Sequence, residues 1–585
     1  MRPCLLIAVI LFLISSCSQP GQMPRVTRLE QQSLARTGQM PDFPQPYKML
    51  DWEEKARQFD RIVFDRNQTG DHWPLIWMDD SRKNFDQETF GLYTAIGDVR
   101  QGPDKNGGMF HESLATIGAV LGASLVGIDK GDQEGVNYVN MLRNYFNAGT
   151  KWNIIMNNTC PEVALLGGGY GRDWWYDVYP NMLYYAVCSF YPDEKGSEQI
   201  LRAVAEKFYQ ADSVLNGNYD HTFFNYAELS PGENWICHQP DAAAGHAYVL
   251  YSAYKRFGDP RYLEGAKSAI QALLAQPHNT FYEILMPFGA YVAARLNAEE
   301  GTNYAIRPIM EWTFNGDAKC REGWGVLADN WNGFDVSGLV GSTTDHGGYV
   351  FLMNTFDVAW ALVPLVRYDG SWAQVIGKWM LNAANAARLF YPYEIPDEHQ
   401  TIPQLKQVTK GVIGYEGLTK RSGYEEYQHL QAPVAQGDGP NWVKGENPPA
   451  SQFSVYGSAH AGIFGSIIDT TNVEGILQLD LLACDFYRDD AYPSFLYYNP
   501  FEEAKTVELE VGAEKADLYD LLSHTFIQKG ISGKARLTIE AKQPLVIVVT
   551  PAGGKISYRN RQAFVNGVVI DFGHPDSSNK YMSSF

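Results

Sequence analysis

Between about residues 50 and 390 the chain alternates two kinds of helical segment, one apolar nearly all round and one with a polar face. Residues 109–128 (MFHESLATIGAVLGASLVGI) carry no polar stripe, whereas 132–147 (DQEGVNYVNMLRNYFN) are amphipathic. The alternation recurs at 176–190 and 197–213, 241–257 and 259–275, 282–298 and 303–313, and 353–367 and 371–390. An all-apolar helix must be enclosed by its neighbours, and an amphipathic one can cover it while facing water on its other side. An inner and an outer ring of helices meets both demands. The connection Gly258-Asp259-Pro260 has the punctuation such pairs need, Gly where one helix stops and Asp-Pro where the next begins. Helices at 51–66 and 455–468 bring the series to roughly six pairs, enough to close an α/α toroid. An open solenoid of the tetratricopeptide kind would keep a fixed period. The connections here are long and unlike one another, so a closed barrel is expected.

At 585 residues the chain exceeds what one hydrophobic core supports, about 250–300 residues. Past Cys484 the periodicity changes. Ser494–Pro500, Thr506–Val511, Ala516–Asp520, Ala535–Ile539 and Pro544–Thr550 alternate or run apolar over short stretches, punctuated by Gly512, Gly530, Gly533 and Pro551. Short strands at this spacing predict a small β-sandwich. The expected organisation is mainly α: an (α/α)6 toroid over 49–483, then the sandwich over 484–585.

The amino terminus is read as a lipoprotein signal peptide, residues 1–16. Met1-Arg2 precedes an apolar run, Leu5–Ile14, about half the ~20 residues a spanning helix needs. It ends Leu13-Ile14-Ser15-Ser16-Cys17, which resembles a lipobox, so Cys17 is expected to be lipidated. Residues 17–48 are expected to be a tether. No acidic residue stands in Ser18-Gln19-Pro20-Gly21, which argues for an outer-membrane lipoprotein facing the periplasm. The other mature cysteines, Cys160, Cys188, Cys237, Cys320 and Cys484, are widely spaced without a CxxC pair. They are expected to be buried free thiols.

With 47 basic and 67 acidic residues the net charge is −20, which repels phosphate backbones and sets nucleic acid aside as a partner. Aromatic residues reach 13%. Several precede the apolar helices: GGMFHE at 107–112, GGGYGRDWWYD at 167–177, SPGENWICHQPD at 230–241 and GSTTDHGGY at 341–349. In a closed ring all inner helices run one way, so these segments converge on one rim. Aromatic faces with carboxylates and histidines suit a sugar, which has an apolar C–H face and a hydroxyl edge. Glycosidic hydrolysis needs two flanking carboxyl groups. The candidates are Glu112 and Glu233, with Asp345 as replacement for either, and Asp79 and Asp80 as further possibilities. Asp241 is read as an N-cap. Arg172 and Arg321 are candidate clamps for a substrate carboxylate. His111, Trp174, Trp175, Asn234, His238 and His346 complete the expected binding set. No phosphate loop, H-E-x-x-H pair or G-x-S-x-G elbow occurs, and no cofactor or metal is expected.

Gly323-Trp-Gly-Val-Leu-Ala-Asp-Asn-Trp331, Val336–Ser342 and Tyr349–Thr355, with the helix pairs and terminal strands, resemble the α/α-toroid carbohydrate-active lipoproteins of Bacteroidetes-type glycan-degrading systems. Glycoside hydrolase family 154, with β-glucuronidase activity, is the family most similar in architecture. The resemblance implies an exo-acting hydrolase releasing glucuronate from polysaccharide-derived glycans. It carries over no catalytic residue. A polysaccharide lyase acting on uronate-bearing glycan and a non-catalytic glycan-binding lipoprotein remain alternatives.

Overall fold

The computed structural model describes residues 28–98, 101, 111–162, 169–437 and 453–575. The expected signal peptide and Cys17 lie outside them, as does the Gly167-Gly168 pair. Among the described residues fourteen α-helices form. α1 (Ala35–Gln39) and α2 (Trp52–Val63) come first. Five pairs follow: α3 (Ser113–Leu125) with α4 (Tyr138–Met141), α5 (Trp174–Phe190) with α6 (Ser197–Leu215), α7 (Ala242–Phe257) with α8 (Pro260–Leu274), α9 (Met286–Glu299) with α10 (Ile306–Asn315), and α11 (Leu352–Tyr368) with α12 (Ala373–Ala386). α13 (Val455–Ala459) and α14 (Ala461–Ile467) close the series.

The apolar members form a ring. α3 packs on α5, α5 on α7, α7 on α9, α9 on α11, α11 on α13 and α14, and these last on α3. Every residue of α11 is buried, and α3 is buried from Ser113 to Ser124. The amphipathic members lie outside: α6 and α8 each bury one face and expose the other. α2 packs on α14 and occupies the sixth outer place, so the first and last long segments of the series meet. No helix among the described residues is long and apolar enough to cross a membrane.

Three expectations are corrected. The helix expected over 132–147 is an α-helix only at Tyr138–Met141, continued as a tighter 3-10 turn to Tyr145, because Gln133 and Val136 pair as a β-bridge ahead of it. Residues 28–48 are not a tether: Leu34 and Met40 are buried, and the Leu29 amide donates to the Leu522 carbonyl at 2.7 Å. The β-region begins before Cys484, at Ile468.

That region is a six-stranded antiparallel sheet in spatial order Ile468–Thr470, Leu477–Asp480, Ser494–Tyr498, Pro544–Pro551, Lys505–Asp520 and Thr525–Ile539. Leu479 stands opposite Leu496, and Leu496 opposite Val546, which sets apolar side chains in register. A three-stranded sheet follows, Ile556–Arg559, Gln562–Val565 and Val568–Asp571. A further five-stranded sheet takes three strands from the connection ahead of α11 and two, Gly417–Thr419 and Val434–Gln436, from the segment after α12, so the chain is α plus β and not mainly α.

The β-region seals one end of the ring. Asp485 accepts from the hydroxyls of Tyr291 (2.6 Å), midway along α9, and Tyr368 (3.0 Å), and pairs with Arg367 at 3.0 Å, the last two at the carboxyl end of α11. Arg295 donates to the Phe486 carbonyl at 3.1 Å. A cavity of about 690 Å³ lies in this seam, among Ala294, Arg367, His524, Arg559 and Phe572. The amino-terminal end of the inner helices is the other rim.

Candidate active site

Helix amino termini carry unsatisfied N–H groups, which an acidic cap normally accepts. Two outer helices follow this rule: Asp51 accepts from the Glu54 N–H ahead of α2, and Asp259 from that of Arg261 at the start of α8. Three inner helices have an acid at the same position, Glu112 before α3, Asp173 before α5 and Asp241 before α7. None of the three side chains caps its helix. The helix partial charge favours the acid there, while its oxygens are kept for other partners.

Asp173 is the centre of this rim. Gln239 donates from Nε2 to its Oδ1 at 2.5 Å, and the Tyr282 hydroxyl donates to Oδ2 at 3.4 Å. Gln239 is itself fixed, its Oε1 accepting the Trp175 N–H at 3.1 Å. Burial raises the Asp173 pKa against these bonds and the nearby Arg321 and Arg172, to about 6. The residue keeps 9% of its surface accessible. Asp241, expected as an N-cap, instead accepts the Tyr282 N–H on Oδ2 at 2.9 Å. It is only 1% accessible, and burial, with Asp173 nearby, pushes its carboxyl well above the usual range. Of the two acids, Asp173 is the one a ligand can reach.

Tyr282 and Glu283 lie in the connection to α9, which begins at Met286 and not at 282 as the pattern suggested. Glu283 adopts a left-handed conformation, φ 56°, a strain on the order of 1–3 kcal/mol for a non-glycine residue. Its surroundings over-determine it. Asn354 donates from Nδ2 to Glu283 Oε2 at 2.9 Å and to its carbonyl at 3.1 Å. The Trp324 indole N–H donates to the same carbonyl at 2.8 Å, and the carboxylate pairs with Arg321. Arg321 lies 4.0 Å over the Trp324 ring and keeps 30% of its side chain exposed. From Trp324 an aromatic wall continues through Tyr349 (6.5 Å between ring centres), Phe351 (6.4 Å) and Tyr456 (6.1 Å) to the start of α13. Counting round six inner positions, α3 faces α9, so Glu112, which is buried, and Glu283 open opposite walls of the mouth.

Several expected binding residues are structural. His111 is fully buried, its Nε2 3.0 Å from Asp79 Oδ2 and its Nδ1 2.9 Å from the Thr159 hydroxyl, so it does not face a ligand. The same pairing occupies Asp79. Burial would raise its carboxyl, but bonds to His111 and Ser81 bring it below the usual range. Asp80 is exposed. Trp174 is buried, stacked 5.7 Å from Tyr219 and donating to the Tyr226 hydroxyl at 3.2 Å. Trp175 is buried too, its ring 4.1 Å from Tyr176. Arg172 is half-buried beside Asp173.

Glu233 is not a buried acid. It is half-exposed, with Oε1 2.7 Å from His221 Nδ1 and Oε2 2.9 Å from His238 Nε2. What burial it has raises its pKa, but these two histidines and Thr222 lower it further, leaving it ionised. His238 also meets Asp220 at 2.8 Å. Asn234 donates to the Arg172 carbonyl at 2.7 Å. Asp345 and His346 form an exposed pair of their own at 3.3 Å, linked to neither Asp173 nor Glu112 by a hydrogen bond or ion pair. Cys237 and Cys320, expected as free thiols, form a disulfide that joins the connection before α7 to the one after α10, beside Arg321. Cys160, Cys188 and Cys484 are buried and stand outside that disulfide, as expected.

The sequence reading missed Asp173, Gln239, Tyr282, Glu283, Trp324 and Asn354. The available signal was Asp173 itself, an acid at a helix start with a second acid, Asp177, one turn on. Asp177 instead ties down the preceding turn, accepting the N–H groups of Tyr170 (2.7 Å) and Gly171 (3.0 Å).

The chain matches no protein-family model and no curated protein. Among solved structures it is similar to a GH127 beta-L-arabinofuranosidase from Geobacillus stearothermophilus T6, with 11% identity, 89% of this chain and 85% of that one covered, and a TM-score of 0.36. It is also similar to the cellobiose 2-epimerase of Spirochaeta thermophila DSM 6192, with 12% identity, 71% and 96% coverage, and a TM-score of 0.37. These likenesses are too distant to assign a family or an activity.

Proposed function

We propose that the protein is a glycoside hydrolase acting at the amino-terminal rim of its helical ring. One observation carries the reading: three inner helices begin with an acid that does not cap its helix, at the end of the ring away from the Asp485 contacts with the β-region. Asp173, with its raised pKa, is the general acid that protonates the leaving oxygen. Glu112, on the adjoining inner helix, supplies the second carboxyl. Gln239 and Tyr282 hold Asp173 in place. Arg321, braced on Trp324 and Glu283, takes a substrate carboxylate, which makes a terminal glucuronate the preferred sugar.

The chain is exported and held through lipidated Cys17 at the outer membrane, facing the periplasm. The Cys237–Cys320 disulfide supports an oxidising compartment. Fractionation of cells producing Cys17→Ala, with the protein released from membranes, checks the anchor.

The test of activity is incubation of the purified protein with uronate-terminated glycans and analysis of released sugars. Release of free glucuronate by the wild type and its loss in Asp173→Asn is expected. An unsaturated, ultraviolet-absorbing product from intact polymer would instead identify a lyase. Glycan binding without any product would leave a capture protein.

A further inference from the structure

We infer that Trp235 is the stacking platform for the sugar on the leaving-group side of the cleaved bond, so that the substrate is an oligosaccharide and not a single decorated sugar. The inference rests on the reading of the rim as a glycosidase site. Among the described residues Trp235 is the exposed tryptophan, with 81% of its surface accessible, in a protein that buries nearly all its others. Isolated exposed aromatic residues are common on surfaces. This one differs in how it is mounted.

On one side its neighbour Asn234 donates to the carbonyl of Arg172, the residue before Asp173, and accepts the Ile236 N–H at 2.8 Å. On the other side, Cys237 is bonded to Cys320, the residue before Arg321. Two residues earlier in the chain, Glu233 is gripped by His221, His238 and Thr222. The loop carrying Trp235 is therefore fastened to the backbone beside both the proposed acid and the proposed carboxylate clamp. A ring held this way loses little conformational freedom when a ligand stacks on it.

The chemistry around the ring identifies what would stack. Its neighbours Glu233, Asn234, His238 and Asp220 are polar and partly exposed. A protein partner would call for a contiguous apolar patch, whereas the described residues that fasten this loop, Glu233, Asn234, His238 and Asp220, are polar. A sugar ring, with a C–H face for the indole and hydroxyls for Glu233, Asn234 and His238, matches this mixture.

The experiment compares Trp235→Ala and Trp235→Phe with the wild type. The probes are p-nitrophenyl β-glucuronide, which has no leaving-group sugar, and a glucuronate-terminated tetrasaccharide. In Trp235→Ala the ratio of tetrasaccharide KM to aryl-glucuronide KM should rise about 3- to 10-fold, while Trp235→Phe restores most of the difference. Quenching of tryptophan fluorescence by the tetrasaccharide should weaken in Trp235→Ala. An unchanged KM ratio, with the wild type active on both probes, overturns the inference and leaves the hydrolase reading intact. If neither probe is turned over, the hydrolase reading fails and titration decides alone: tetrasaccharide binding lost in Trp235→Ala upholds the platform, and equal or absent binding overturns it.

Discussion

Gln239 clasps Asp173 at 2.5 Å while its other amide atom is held by the backbone of Trp175, two residues further along the chain. An amide so fixed cannot rotate away, and the carboxyl it touches has one orientation. Such positioning gives a proton donor its value, since geometry precedes pKa in deciding whether a group can act.

Replacing Asp173 by Asn should lower kcat about 10²- to 10⁴-fold on glucuronides. In the wild type kcat should fall on the alkaline side of about pH 6, where the acid loses its proton. The stability effect has the opposite sense. An acid whose pKa is higher folded than unfolded binds more protons in the native state between the two values, so stability declines as pH rises from about 4 towards 6. Asn removes that loss, and Asp173→Asn should melt at a slightly higher temperature than the wild type at neutral pH. Calorimetry beside pH-rate profiles checks both halves. A variant that is inactive because it is less stable would contradict the assignment.

Glu112 and Glu233 should separate cleanly. Glu112→Gln is expected to lose turnover by about 10²-fold or more. Glu233→Gln is expected to keep kcat within about threefold and to weaken binding of the tetrasaccharide, through a looser Trp235 loop. Steady-state kinetics on both substrates suffices; a collapse of kcat in Glu233→Gln would return that residue to the chemistry.

One turn beneath the rim, His460 Nδ1 lies 2.7 Å from Asp357 Oδ1 and Nε2 lies 3.0 Å from the Leu114 carbonyl, tying α11, α13 and α3 together. Burial alone would lower the His460 pKa, but the Asp357 carboxylate and the hydrogen bonds raise it overall. Removing either partner of a buried pair costs about 3–5 kcal/mol, so His460→Ala and Asp357→Ala should each melt well below the wild type. A histidine with a raised folded pKa contributes stability fully below about pH 6.5 and loses it as pH climbs through the folded value. Wild-type unfolding midpoints should therefore fall on the alkaline side of neutrality, and His460→Ala should lose that part of the dependence. Gly118→Ala should be harmful for the same reason, since its Cβ would stand 2.3 Å from His460 Nε2.

The Cys237–Cys320 bond spans 83 positions. Its removal in a Cys237→Ser/Cys320→Ser variant should cost about 2–4 kcal/mol. It should also raise KM for glucuronides, because it anchors the segment bearing Arg321. Denaturant unfolding and kinetics with and without reductant check this; equal KM values in the two redox states would mean that Arg321 is positioned without it.

The ring was legible because enclosure is written residue by residue: α3 and α11 could only be inner helices. The rim was legible as a place but not as a constellation. Glu112 opens α3 as the pattern implied, yet Asp173 and Asp241 look like ordinary caps until the structure shows that they do not cap. Glu233 misled because a carboxylate beside two histidines reads as chemistry, and only its exposure reveals an anchor. Glu283 was hidden inside an apparent helix, and its left-handed backbone breaks the periodicity that made it look helical. The disulfide was unreadable, since its cysteines come from different connections brought together by the ring.

Because α2 packs against α14, the ring is closed by segments about four hundred positions apart in the chain. Each inner helix between them is apolar all round and has nowhere dry to rest until both neighbours are in place. The barrel therefore has no stable half. A chain halted before α14 would hold an unfinished circle with an oily inner wall open to water. Such a chain would need shelter until its final helix arrives, and α2, made near the start, would be among the last to find its main partner.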